Sequence, residues 1–478
     1  MEQALSGSAD KHNGRRSFSA IALCICFAVI IAFVLYYPKW QKQGPEATIS
    51  YDVAGYYMYL PATIIYHDLK GLSFQDEVLR KYNYTSGPYQ AVALPSGGYT
   101  MKYPIGAAVM YLPFFLIGHG IATVSSYPAD GYSTPYQCLL SLGCLCYAFL
   151  GLWLLRKLLL KWFSDTVTGL TLVILVCATN YLNYSAIDNA MTHNLLFTVY
   201  VALIWFTVRF WEKKELKVAF RIGMLCGLAT IIRPTEIISV LIPVLWGLKN
   251  LRDIPERLRF FLRGYRYVLL FALGAFLFGA IQLMYWKYST GSWFFYSYEE
   301  QTFSWLHPHL KDGLISYQKG WFIYTPVMLL IVPGSIFLYR YKRDAFWAIS
   351  VFICINIYIA FSWDIWWYGG SLGQRSMVQS YALLTLPIAS LLTFLLQQKW
   401  LRVAPVYIFC AACVWYNIVL TLQAHGKDSY FESEHMTRNY FWSTFGKLHV
   451  DRSLTRFIDS NDKYRATSAI KRNFLDRF

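Results

Sequence analysis

Apolar runs near the length of a membrane span recur from Phe18 to Leu422, separated by short polar stretches. A helical run of about 20 apolar residues crosses one bilayer. The pattern therefore predicts an all-α polytopic membrane protein. Spans are expected at 17–37, 134–155, 166–184, 192–210, 267–286, 322–340, 344–362, 376–396 and 403–423. Residues 218–248 predict a hairpin of two shorter arms that turns at Arg233-Pro234. The first span is long and lacks a small-residue cleavage site, so it is expected to remain as an anchor.

Two apolar stretches break this rhythm. Ser50 to Leu69, SYDVAGYYMYLPATIIYHDL, carries Pro61 mid-run, Asp52 at one end and His67 and Asp68 at the other. Tyr51, Tyr56, Tyr57 and Tyr59 suit the headgroup zone, where a ring is buried and its hydroxyl stays wet. The stretch is expected to form a helix lying in the membrane interface. Asp52 falls near its N-terminus, where the helix dipole favours a carboxylate; read alone, it also suits an N-cap. The second stretch, 104–126, has the length of a span, and its placement turns on charge.

The net charge is +16, and the basic residues fall in short clusters between apolar runs. The clusters are Arg156/Lys157/Lys161, Arg209 to Arg221, Lys249 to Arg266, Arg340/Lys342/Arg343 and Lys399/Arg402. Such clusters mark cytoplasmic loops. They share the side of Lys11, Arg15 and Arg16 only if 104–126 does not cross, so it is expected to be a second interfacial or re-entrant helix. About eleven crossings remain. Residues 1–16 are then a cytoplasmic N-terminus and 17–423 the transmembrane domain. Its outer loops are 38–133, 287–321 and 363–375, and 424–478 is a short outer tail. This topogenic distribution argues against a nucleic-acid partner. Composition agrees: 56% of residues are hydrophobic and 15% charged, against about a quarter charged in soluble domains. The ten cysteines lie in apolar segments, without metal-ligand spacing to a histidine, and read as small core residues.

The polar residues that topology leaves unexplained gather on the outer side. Ionisable groups in or beside apolar spans are costly and mark functional sites by default. Lys102, in Met-Lys-Tyr-Pro at the start of an apolar segment, suits a phosphate partner or a snorkelling anchor. Asp188 and His193 share a short turn with Asn189 and Thr192. Arg233 sits between the hairpin arms, aimed at a phosphate or paired with Glu236. Trp363 to Arg375 is aromatic and glycine-rich. The loop 287–321 is long enough for a lid; its Glu299, His307 and His309 would be the ligands for a divalent metal, at a spacing that specifies none. Asn83-Tyr-Thr85 and Asn183-Tyr-Ser185 match glycosylation sequons.

Four local signatures occur in order: Asp52 in the aromatic helix after span one, Lys102-Tyr103-Pro104, the Tyr184-to-Asp188 turn, and the Gly227-to-Pro234 hairpin. Together they resemble the GT-C class of membrane glycosyltransferases, in the branch of protein O-mannosyltransferases and the lipid A aminoarabinose transferase. The resemblance runs from span one to about Arg375. The chain departs from that pattern in having Val53 after Asp52, Tyr103 inside the lysine–proline motif, and, where relatives carry a folded outer domain, a tail 424–478 expected to be too short for much of a core.

The resemblance implies a GT-C-like fold and an inverting transfer. The donor is a sugar on a polyprenyl phosphate, and the acceptor is a hydroxyl of a glycan, lipid or protein. Asp52 would be the general base, with Lys102, Arg375 and Arg233 on the donor phosphate. Tyr56, Tyr57, Asp188, His193 and Glu299 would line the pocket. No covalent enzyme intermediate is required, the pattern specifies no cofactor and leaves a divalent metal open, and the setting would be a bacterial inner membrane with a periplasmic active face. A lipid-linked glycan ligase or polymerase, or a transporter or flippase, is the alternative reading.

Overall fold

The computed structural model describes residues 17–87, 89–429 and 431–458. The expected cytoplasmic start 1–16 and the end of the tail, 459–478, lie outside the described residues. Helix α1 (Phe18–Tyr36) leads to two short helices, α2 (Tyr51–Tyr57) and α3 (Tyr59–Ile64), then α4 (Gln75–Tyr82) and a hairpin of β1 (Ala91–Ala93) with β2 (Tyr99–Met101). The strands are antiparallel, with Val92 opposite Thr100. Then follow α5 (Gly106–Thr123), α6 (Thr134–Leu159), α7 (Asp165–Cys177), α8 (Tyr181–Ser185), α9 (Thr192–Lys213), α10 (Leu216–Ile232) and α11 (Leu241–Leu245). The amphipathic α12 (Ile254–Arg263) precedes α13 (Tyr265–Thr290), α14 (Leu310–Ile315), α15 (Trp321–Tyr324), α16 (Ile331–Tyr341) and α17 (Arg343–Ser362). The order closes with α18 (Tyr381–Leu395), α19 (Trp400–Ala424) and α20 (Arg438–Thr444). Among the described residues, eight helices are long and apolar enough to cross a membrane, beside shorter apolar helices at 165–177, 234–245 and 326–341. The chain is an all-α polytopic protein of membrane type.

One end of the bundle gathers basic residues from several clusters. There Asp165, in the first turn of α7, accepts the hydroxyls of Ser17 and Ser19, while Arg156 of α6 donates to the same two serines at 3.0 and 2.8 Å. Lys161 approaches Glu212, and Lys342 lies over Trp162. Arg343 donates to the Lys249 carbonyl at 2.9 Å. These contacts bring 156–165, 212, 249 and 342–343 to the same end as the start of α1. We call it the basic end.

Helix α5 belongs to the opposite half. Tyr147 donates to the Met110 carbonyl at 3.0 Å, and the ring of Phe114 lies against Gly143. Gly118 faces Pro135 and Tyr136. Running outward, α5 thus covers only the first half of α6 and stops at the end where α6 begins. Its first residue, Gly106, packs on Ile231 and Ile232 at the last turn of α10.

The stretch 50–69 differs from expectation. It is two short helices, and residues from Val53 to Ala62 are buried in the protein. Tyr56, Tyr57 and Tyr59 are at most 6% exposed, so their rings meet protein rather than headgroups. The cover comes from loop 82–103, α5 and the segment before α6: Tyr57 packs on Phe115 and Tyr132, and Tyr56 on Tyr103.

Several expected spans are broken, and the breaks fall away from the basic end. Helix α7 stops at Cys177, where the Thr179 hydroxyl turns back onto the Leu175 carbonyl at 2.6 Å. Thr325 (φ −138°) interrupts 322–340, because Pro326 lacks an N–H and disfavours a helical residue before it. Arg233 is likewise extended before Pro234. The 13 residues of α7 and 17 of α10 rise only about 20 and 26 Å, short of a ~30 Å hydrocarbon core. Polar groups at these breaks are therefore recessed among the helices. Beside them α10 and α13 meet closely: a Cβ at Gly223 would lie 2.0 Å from the Phe271 carbonyl oxygen, and one at Gly274 2.2 Å from that of Phe220. The described part of the tail packs on the bundle: Met436, Tyr440 and Phe441 meet Tyr324, Leu372 and Leu420.

Candidate functional site

Ser50 precedes α2 and turns its hydroxyl to the Ala47 carbonyl, which leaves Asp52, in the first turn, uncommitted to capping. Its carboxylate points into the bundle instead. One oxygen accepts the hydroxyls of Tyr103 at 2.7 Å and Tyr89 at 3.0 Å. The other accepts from Arg375 Nη2 at 2.7 Å. The side chains of Asp52 and Arg375 are 20% and 15% exposed. Burial alone raises the Asp52 pKa, but the guanidinium and the tyrosine hydroxyls outweigh it and hold the carboxyl below its usual range. Burial and the same carboxylate push the Tyr103 and Tyr89 hydroxyls upward, so both stay protonated donors. Arg375 Nε is buried and has no hydrogen-bond partner among the described residues.

Backbone geometry supports this cluster. A Cβ at Gly55 would strike the Tyr103 ring at 2.4 Å, so glycine there lets the ring reach Asp52. Tyr51 and Tyr368 flank the site with positive φ of 45° and 56°. Such conformations cost ~1–3 kcal/mol each and collect at functional sites.

A second polar layer lies behind Asp52. Arg233 Nη1 is 3.3 Å from His193 Nδ1, and its guanidinium lies over the Tyr368 ring. His193 Nδ1 is 3.0 Å from Gln379 Oε1, while Gln379 Nε2 donates to Glu236 at 2.9 Å. Tyr200 donates to the other Glu236 oxygen at 2.6 Å. Glu236 is thus held by Tyr200 and Gln379 rather than by a direct ion pair with Arg233. Tyr56 bridges the layers: it stacks near Tyr103 and feels the charges of Arg233, Asp52 and Arg375.

Of the residues chosen from sequence, the structure therefore gathers Asp52, Arg375, Arg233, Tyr56 and His193. Lys102 joins them: it is buried, with its ammonium 5.6 Å from the Tyr89 ring and 5.8 Å from that of Tyr298.

Three residues fall elsewhere. Tyr57 is one helical step, about 100°, from Tyr56, and its hydroxyl donates to the Gly131 carbonyl. Asp188 is taken by Lys39 at 2.9 Å and by Asn183 at 2.9 Å, whose carbonyl oxygen faces His425. Burial opposes the charge on Asp188, but Lys39 and its neighbours hold its pKa low, while burial brings His425 to about 4. Glu299 is exposed, because its left-handed backbone turns it outward beside the inward Tyr298. Glu299, His307 and His309 form no group of potential metal ligands among the described residues. Asn183 is fully buried, which removes one sequon from modification in the folded chain.

Sequence reading missed other members. Tyr103, taken as an interruption of the lysine–proline motif, supplies a hydrogen bond to Asp52. Lys319 is 1% exposed and donates to the Ser371 carbonyl in the glycine-rich loop. Burial lowers its pKa to about 7, against the opposing pull of Glu434. Asp364 ties that loop to 287–321 through Ser304 and Thr302, at 2.6 and 3.0 Å. No sequence spacing links these residues; only the repeated tyrosines near Lys102 hinted at a buried polar site. A cleft of about 290 Å³ by Tyr66, Lys81 and Asp130 is lined by none of these residues. A scan against protein-family models and a search of curated proteins find no match to this chain.

Proposed function

We propose that this protein is an inverting membrane glycosyltransferase of GT-C type that uses a polyprenyl-phosphate-linked sugar. The observation that carries the reading is the part-buried Asp52–Arg375 pair, with Arg233 and Lys102 close by. A carboxylate beside several cations, recessed at the broken ends of membrane helices, suits chemistry on a lipid-linked phosphate ester.

The steps follow from that arrangement. A donor phosphate meeting Arg375 competes with Asp52 for the guanidinium. The unpartnered Arg375 Nε offers it a further donor. Lys102 and Arg233 add positive charge, which makes the lipid phosphate a better leaving group. Asp52, released from Arg375, becomes more basic. It takes the proton of an acceptor hydroxyl as that oxygen attacks the anomeric carbon from the face opposite the phosphate. One bond forms, one breaks, and configuration inverts. Tyr298 and the loop 287–321 would exclude water from the reacting carbon.

The topology behind this reading has about eleven crossings: all the expected spans and both hairpin arms, with α5 confined to the outer half. The basic end would then be cytoplasmic, and the setting a bacterial inner membrane with the site toward the periplasm.

The test is turnover of a radiolabelled polyprenyl-phosphate sugar in membranes containing wild type or Asp52→Asn. Wild type should consume the donor, and the variant should lose about a thousandfold in rate with expression unchanged. Equal activity would move the lipid-linked glycan ligase ahead. No turnover of any such donor by wild type would return the transporter reading.

A further inference from the structure

The segment between α11 and α13 has no part in the proposed chemistry, and it lies at the basic end. Helix α12 has three faces. One packs on the protein: the Arg257 guanidinium lies 3.6 Å from the Trp211 ring centre, and Phe260 and Phe261 meet the same ring at 5.2 and 6.2 Å. The second face is apolar and open. Ile254, Leu258 and Leu262, spaced i, i+4, i+8, are 38%, 57% and 77% exposed. The third carries Arg259 and Arg263, also four apart and exposed, with Arg252 and Arg266 at the two ends. None of these four arginines has an ion pair with a described residue. At about 100° per residue the arginine row lies beside the leucine row, roughly 100° round the helix.

The adjoining helix is open and apolar as well. Beyond Gly264, Tyr265, Leu269, Leu273 and Phe276 are 49–60% exposed on α13. Helix α13 packs closely on α10 and turns these residues outward. Exposed apolar residues on both sides of the Gly264 bend, flanked on α12 by arginines without an ion pair to a described residue, have the chemistry of the acyl–headgroup boundary.

We propose that α12 lies in the bilayer interface at the basic end, and that Arg259 and Arg263, flanked by Arg252 and Arg266, bind the phosphates of anionic phospholipids. The leucine row enters the acyl region while the arginines meet the headgroups, as basic segments beside a span do on an anionic leaflet. Arg257 does not take part, being committed to Trp211. The occupant is a lipid headgroup rather than a protein partner, because α12 adjoins α13, a helix long and apolar enough to cross a membrane that carries exposed apolar residues of its own. The proposal is independent of the catalytic reading.

The test uses the full chain in nanodiscs of phosphatidylcholine with phosphatidylglycerol, carrying a genetically encoded fluorescent amino acid at Leu262. Quenching by brominated phosphatidylglycerol is compared with quenching by brominated phosphatidylcholine. The proposal expects quenching by lipid bromine and a clear preference for the anionic lipid. That preference should fall about fivefold for each arginine removed in Arg259→Gln and Arg263→Gln. A probe quenched by aqueous iodide and not by lipid bromine would overturn it. So would an unchanged preference in the double variant. Lys399→Gln, at a separate basic cluster, is the control and should leave the preference as in wild type; an equal loss there would reduce the effect to overall charge and overturn the assignment to α12.

Discussion

Each half of the molecule contains an aspartate near an arginine, and the two are built differently. At the basic end Asp165 and Arg156 meet through the hydroxyls of Ser17 and Ser19, and Asp165 also accepts the Ser19 backbone N–H at 3.2 Å. Every bond ties one helix terminus to another: α1 to α6 and α7. At the opposite end Asp52 and Arg375 touch directly at 2.7 Å, and the remaining donors to Asp52 are tyrosines on the loop before α5. There Arg375 Nε is left without a partner. The first cluster is complete and works as a clasp. The second is incomplete and buried, which is costly unless a ligand finishes it. A shared residue pair therefore says little about role; the satisfaction of its hydrogen bonds says more.

Removing each arginine sharpens that contrast. Arg375→Gln leaves Asp52 buried beside two tyrosines without its counter-charge, so it should destabilise the protein by about 3 kcal/mol, at the lower end for a broken buried pair because both groups keep some solvent. Thermal melting in detergent measures it. Asp52 has a folded pKa below its ordinary 3.8, so its contribution is present above that value and is lost as pH falls through the lower folded value. In Arg375→Gln that acid loss should shrink. A variant as stable as wild type would mean that the pair is not a buried ion pair.

Lys319 gives an effect with the opposite sense in pH. Its pKa falls from 10.5 to about 7 on burial, so above pH 7 the unfolded chain binds more protons than the folded one. Stability should rise from pH 7 toward 10.5, by up to ~1.4 kcal/mol per pH unit. Lys319→Met should lose that rise while both proteins are followed by melting temperature against pH. A wild-type profile falling over this window contradicts a buried lysine under the glycine-rich loop.

The smallest effect belongs to the clasp. Arg156→Gln should cost about 1 kcal/mol, the net worth of hydrogen bonds that solvent partly replaces. It should leave any donor turnover unchanged, since Arg156 lies at the basic end. A large activity loss there would erase the distinction between the two ends.

The sequence made the membrane class legible because hydrophobic length and basic clusters are local signals, and the folded chain gathers basic residues from several clusters at one end. It also set α5 apart from the crossing helices on charge alone; α5 lies against only the first half of α6, yet it is one of the eight helices long and apolar enough to cross. Asp52, Arg233 and Arg375 stood out because charges near apolar runs are rare. What stayed hidden depended on direction rather than identity. Tyr56 and Tyr57 are neighbours on the same short helix, yet one faces the site and the other Gly131. Asp188 lay in a suitable turn, but Lys39, 149 positions earlier in the chain, claimed it. Lys319 and Tyr103 entered through tertiary packing that no spacing announces. The break at Arg233 was legible in the proline that follows it; Pro326 carries the same signal for Thr325, though 322–340 was expected as one span, whereas the break after Cys177 rests on a threonine bonding back to its own helix.

The central claim is that Arg375 holds Asp52 only until a phosphate arrives. Binding of a short-chain polyprenyl phosphate to the purified protein, followed by calorimetry in detergent, tests it directly. The account predicts saturable binding to wild type that weakens at least tenfold in Arg375→Gln. It also predicts tighter binding in Asp52→Asn, because the competing carboxylate charge is gone. Binding unaffected by Arg375→Gln, or weakened by Asp52→Asn, would contradict it.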